Sequence, residues 1–65
     1  MRIDSIKIKL IMAEQEINQT VLAKHCGISR QNISAMLARG TCSITKAGKI
    51  AKALGVDVRE IIKED

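Results

Sequence analysis

Little in this sequence can carry out covalent chemistry. The single histidine, His25, stands beside Cys26, and the second cysteine is Cys42. One His and two Cys without paired spacing do not build a zinc site. No Ser or Cys stands at a spacing from His25 that would activate it as a nucleophile. No carboxylate lies between Ile17 and Val56 to act as an acid or base. Neither a metal, a cofactor nor catalysis is therefore expected. What the middle of the chain does offer is hydrogen-bonding groups suited to planar edges. Arg30 and Gln31 are adjacent. Arg donates a pair of bonds to guanine O6 and N7, and Gln pairs with adenine N6 and N7. Nearby, Ser34 can donate or accept, and Ala35 can pack against a thymine methyl.

Charge is distributed to match. The formal net charge is +4, which by itself is mild. Acidic residues occur only towards the ends: Asp4, Glu14 and Glu16, then Asp57, Glu60, Glu64 and Asp65. Between Ile17 and Val56 stand Lys24, Arg30, Arg39, Lys46, Lys49 and Lys52 with no acid among them. A one-signed middle of this kind points to a polyanionic partner. Lys49 and Lys52 read as solvated residues that add to the steering field.

The elements that must position these residues are helical. With 65 residues the chain forms one small domain, burying only about 60% of the surface its unfolded form exposes. It contains no Pro and no Phe, Tyr or Trp, which favours helices over strands. The missing aromatics also exclude readers that stack bases on rings. No apolar run reaches the ~18 residues of a membrane span, and no signal-peptide core opens the chain. A cytoplasmic protein with reduced thiols is expected, and Cys42 should be an inert exposed thiol.

Helix signals follow one another closely. Asp4 or Ser5 should cap a first helix to about Gln15, and Asn18 a second over roughly Gln19 to Cys26, ending at Gly27. Ser29 should cap a third from Arg30 to about Ala38, closed by Gly40. Ser43 or Thr45 should start a fourth, reaching Leu54 before Gly55. Asp57 should cap a fifth, Val58 to about Lys63. The expectation is an all-α, compact five-helix bundle.

Only Gly27, Ile28 and Ser29 separate the second and third helices, so the two must cross steeply at close range. Ala23 is small enough for that approach, and Leu22, Cys26, Ile28, Ile33 and Met36 supply apolar inner faces, with Leu37 beside Met36. These offsets are what a helix-turn-helix demands. The segment Gln19-Thr-Val-Leu-Ala-Lys-His-Cys-Gly-Ile-Ser-Arg-Gln-Asn-Ile-Ser-Ala-Met-Leu-Ala38 resembles the phage repressor/Cro-like (XRE) helix-turn-helix family. Lys49-Ile-Ala-Lys-Ala-Leu-Gly-Val56 resembles the fourth helix of that family, and Asp57 to Ile62 its short fifth. The resemblance covers residues 1–65 as a single lambda-repressor-like DNA-binding domain, with the helix-turn-helix at about 19–38 and no appended effector domain.

The resemblance implies base reading by Arg30, Gln31, Ser34 and Ala35. It also implies backbone contact by Gln19 at the start of the second helix. Asn32, Arg39, Thr41, Ser43 and Lys46 flank the recognition helix and are expected to meet phosphates. Many relatives pair an Arg late in helix one with a Glu late in helix three. Met12 and Leu37 stand at those positions here, an exchange that is often neutral or stabilising. Gly48 interrupts the fourth helix, and close packing is the one reason the sequence suggests.

Helix one carries two apolar stripes: Ile8, Ile11 and Met12 on one side, Ile3, Ile6 and Leu10 on another. The second stripe either packs against Val58, Ile61 and Ile62 of the fifth helix or, together with them, forms the surface of the homodimer expected on a double-stranded operator. The expected function is a small transcriptional regulator, a repressor, on a pseudo-palindromic site, with no small-molecule ligand. Two alternatives remain open at this level: an antitoxin-type autoregulator, and a basic helical adaptor for an acidic protein.

Overall fold

Each helix begins where a short polar side chain accepts a bond from a backbone N–H three residues on. Asp4, Asn18, Ser29 and Ser43 accept from Lys7, Val21, Asn32 and Lys46 at 3.0, 2.9, 3.1 and 3.2 Å. In a computed structural model describing residues 1–63, these caps open α1 (Ser5–Glu14), α2 (Gln19–Cys26), α3 (Arg30–Arg39) and α4 (Ile44–Leu54). One turn of 3₁₀ helix, Val58–Glu60, follows. Among the described residues no helix is long and apolar enough to cross a membrane.

The helix ends are equally local. At Gly27 the backbone turns left-handed (φ 68°), so that Gly27 N–H reaches Lys24 O and Ile28 N–H reaches Ala23 O. The end of α1 uses the same pair of bonds without a glycine. Glu16 N–H donates to Ala13 O and Ile17 N–H to Met12 O, with Glu16 itself at φ 57°. A non-glycine residue held there costs on the order of 1 kcal/mol.

The inner faces meet in one core. Ile8, Leu22, Ile33, Met36, Ile50 and Ile61 are its largest fully buried side chains. Met12 and Leu37, apolar where many relatives have an ion pair, lie buried in the same cluster. Three polar contacts tie the helices across it. Ser5 Oγ donates to Leu37 O at 2.7 Å, Gln15 Nε2 to Leu54 O at 2.6 Å, and Cys26 Sγ lies 3.7 Å from Lys49 O.

The first four residues form no helix, yet they pair on both sides. Ile3 N–H donates to Gly40 O and Cys42 N–H to Met1 O, which binds the α3–α4 loop. Asp4 N–H donates to Ile61 O and Lys63 N–H to Arg2 O, which binds the C-terminal segment. Isolated antiparallel bridges join Arg2 to Thr41 and Ile3 to Ile62.

The structure corrects three expectations. The fifth helix over Val58–Lys63 is only a 3₁₀ turn at Val58–Glu60, because the backbone from Ile61 on is committed to the N-terminal segment. Ile3 precedes α1 instead of lying on it, and both Ile3 and Ile61 are core residues, so neither can belong to a dimer surface. Val58 and Ile62 are half-buried. Gly48 is not packed closely: a Cβ built there would meet nothing within 4 Å. Nothing in the structure explains the glycine.

Two stability measurements follow from these backbone sites. Gly48→Ala should stabilise the fold by about 1 kcal/mol, seen as a rise in Tm of roughly 4–8 °C. An unchanged or lower Tm would show that the exposed backbone there is in contact with something. Glu16→Gly should also stabilise, by up to about 1 kcal/mol, by relieving the left-handed strain.

Candidate nucleic-acid interface

The crossing of α2 and α3 decides which residues face outward. Ala23, Leu22 and Cys26 on α2 are buried against Ile33, Met36 and Leu37 on α3. With one side of α3 so occupied, helical periodicity turns the rest of it to solvent. Arg30, Gln31, Ser34, Ala38 and Arg39 are exposed, whereas Ala35 is half-buried. Arg30 and Gln31 occupy the first turn, next to the Ser29 cap. Their own N–H groups have no intrahelical acceptor, so this end carries free donors and a positive dipole end.

A second helix start is joined to the first. Lys46 Nζ donates to Asn32 Oδ1 at 3.3 Å, and both residues are half-buried. The bond ties the first turn of α4 to the first turn of α3. It leaves the Lys46 ammonium two further donors and the Asn32 amide its NH₂ group. Ser43, exposed, accepts from Lys46 N–H but keeps its own hydroxyl proton to donate. Gln19 is half-buried as the first residue of α2.

Arg39 and Thr41, both exposed, lie at the other end of α3. They border an open groove of about 360 Å³ that Arg2, Ser5, Ile6 and Lys63 also line. The ten residues singled out from sequence thus fall into distinct places. Arg30, Gln31, Ser34 and Ala35 lie along α3, Asn32, Ser43 and Lys46 cluster at its start, and Arg39 and Thr41 mark its end. Gln19 stands alone on α2.

Sequence reasoning missed three neighbours of these residues. Arg2 and Lys63 come to the groove beside Arg39 through backbone pairing, which has no side-chain signature. Ile44 is 72% exposed beside the Ser43 cap. No sequence signal separated it: at i, i+3 and i+7 it shares the register of the buried Ala47 and Ala51, and its exposure follows from its place as the first residue of α4.

The electrostatics of the middle are unopposed. Lys24, Arg30, Arg39, Lys49 and Lys52 are exposed, on a stretch without a carboxylate. The ion pair of Arg59 with Asp57 (3.2 Å) lies outside this stretch, and the Arg59 guanidinium holds the Asp57 carboxyl below its ordinary range. Cys42 is half-buried, not exposed as expected. Burial pushes its thiol up, against weaker opposite pulls from the N-terminal amine and Lys46. The Cys26 thiol is likewise raised by burial, opposed by Lys49. Both therefore remain protonated thiols at neutral pH, the unreactive form. Among the described residues no group of three or more potential ligands could hold a metal ion.

A family model described as a Cro/C1-type HTH DNA-binding domain matches residues 7–64. The chain belongs to this family. Among curated proteins and solved structures, none matches it. The match begins within α1 and runs past the 3₁₀ turn, so it covers the helix-turn-helix and both elements that brace it. As a Cro/C1-type domain the chain is a DNA-binding module. The positive middle of the chain, without a carboxylate, suits that assignment.

The Lys46–Asn32 bond generates a specific expectation. Lys46→Ala should weaken binding equally on every duplex and reduce the slope of log K against log salt by about 0.9. A loss confined to one sequence would instead place Lys46 at a base.

Proposed function

We propose that the chain is a sequence-specific transcriptional regulator, a repressor that binds a pseudo-palindromic operator as a homodimer. The observation that carries this reading is the first turn of α3, where Arg30 and Gln31 are exposed while Ile33, Met36 and Leu37 anchor the helix from behind. A recognition helix reads base edges chiefly with residues near its N-terminus.

Four residues read bases. Arg30 takes guanine and Gln31 adenine, each through a pair of hydrogen bonds. Ser34 bonds to a neighbouring base, and Ala35, small and half-buried, lets the helix sit deep and touches a thymine methyl. Phosphates are held on either side. Gln19 and the start of α2 grip one strand. Asn32, Ser43 and Lys46 grip another phosphate at the joined helix starts, and Arg39 and Thr41 meet the backbone at the far end of α3. These contacts fix register and orientation but carry no sequence information.

Dimerisation places two recognition helices about 34 Å apart, one helical turn of duplex, which accounts for a palindromic site. Occupying such a site blocks access to a promoter, and the chain would do so in the cytoplasm, on bacterial or phage DNA.

Selection from a random duplex library tests the reading. The expected result is a motif with two inverted half-sites about one helical turn apart. Gln31→Ala should relax one base position per half-site at a cost of about 1–3 kcal/mol. Recovery of no motif, or uniform weakening by Gln31→Ala, would contradict base reading by α3.

A further inference from the structure

One apolar surface is left over after the core is accounted for, and its N-terminal end, Ile6, borders the groove of Arg39 and Thr41. Ile6 is 73% exposed and Leu10 64%, on the side of α1 opposite the buried Ile8, Ile11 and Met12. At 3.6 residues per turn, exposed Ala13 completes a stripe with them, all three within roughly 60°. Nothing in the fold covers it.

The charges beside the stripe run against the helix dipole. Beyond the capping Asp4, α1 has no acid in its first turn and no base in its last. Lys7 and Lys9 occupy the N-terminal half, while Glu14 closes the helix and Glu16 follows it. A lone helix favours the reverse arrangement. Lys7 and Glu14 also share one flank of the stripe, seven residues and about 10 Å apart along the axis.

We propose that a second copy of this chain docks on this face, α1 against α1, antiparallel about a two-fold axis. Ile6, Leu10 and Ala13 form the seam, with Leu10 against its mate. A two-fold axis lying across an antiparallel pair keeps each flank on its own side. It therefore sets Lys7 opposite Glu14 of the second copy, and Glu14 opposite its Lys7. The two opposed helix dipoles become antiparallel as well. Lys9, on the other flank, comes beside its own mate and weakens the pair.

The contact is small. A ten-residue helix is about 15 Å long, so the buried area falls at the weak end of specific interfaces, below about 1,200 Å². The dimer is accordingly transient in free solution and strengthened when two half-sites raise the effective concentration. The proposal deepens the dimeric reading above by naming its surface, but the test below uses no DNA.

Sedimentation of the full chain from about 10 µM to about 1 mM reads the association directly. Wild type should show a concentration-dependent monomer–dimer equilibrium. Leu10→Glu should abolish it while leaving Tm unchanged, since the side chain is exposed. Lys7→Glu and Glu14→Lys should each weaken it about tenfold, because each breaks two symmetric pairs. The double variant Lys7→Glu/Glu14→Lys should recover wild-type association. Lys9→Gln should tighten it. A wild type that stays monomeric at the highest concentration would overturn the proposal, as would an associating Leu10→Glu or a double variant as weak as the singles. A monomeric wild type that still binds a palindrome cooperatively would remove the α1 surface and leave the operator reading standing.

Discussion

Everything outward on α3 depends on how closely α3 crosses α2 behind it. Three residues connect the two helices, and such a short turn leaves no freedom to separate them. Ala23 makes the approach sterically affordable, and the left-handed backbone at Gly27 makes the reversal without strain. Once Ile33, Met36 and Leu37 are buried in that crossing, the positions of Arg30, Gln31 and Ser34 follow from helix geometry alone. The site is in this sense a by-product of packing: the same burial that stabilises the domain fixes the orientation of its polar side chains.

The remaining elements hold that unit in place from three directions. Lys46 joins the start of α4 to the start of α3. Ser5 binds the last turn of α3 through Leu37 O. The N-terminal segment holds the loop after α3 on one side and the C-terminal segment on the other. A chain of this length has a small core, and these backbone and side-chain ties brace what burial alone leaves marginal. They also keep the positive surface together, since Arg39, Thr41, Arg2 and Lys63 share one groove only because the ends of the chain are paired.

How much was legible in the sequence depended on range. Helix starts were readable because a cap acts three residues away: Asn18 and Ser29 mark theirs without help from the rest of the fold. The buried face of α3 was readable too, because its spacing is periodic. The terminal pairing was not, since backbone hydrogen bonds between residues 37 to 61 apart leave no trace in side-chain type. That blindness explains why Ile3 and Ile61 could equally be read as packed together or as a dimer surface, and why a fifth helix was expected where the backbone has another partner. The end of α1 was unreadable for a different reason: Glu16 does the work of a glycine. Within the site, residue types announced their chemistry, but the Lys46–Asn32 bond depends on the placement of two helices and has no local signal.

The central claim is that burial of one side of α3 presents its first turn to duplex DNA. Titrating a short duplex into ¹⁵N-labelled protein and following the backbone amide resonances tests this most directly. The account predicts the largest changes at Arg30, Gln31 and Ser34, with a second group at Gln19 and at Ser43 to Lys46. Ile6 and Leu10, on the outer side of α1, should be no more than secondarily affected. Changes centred on α1 or on the Val58–Glu60 turn, with the first turn of α3 silent, would contradict it.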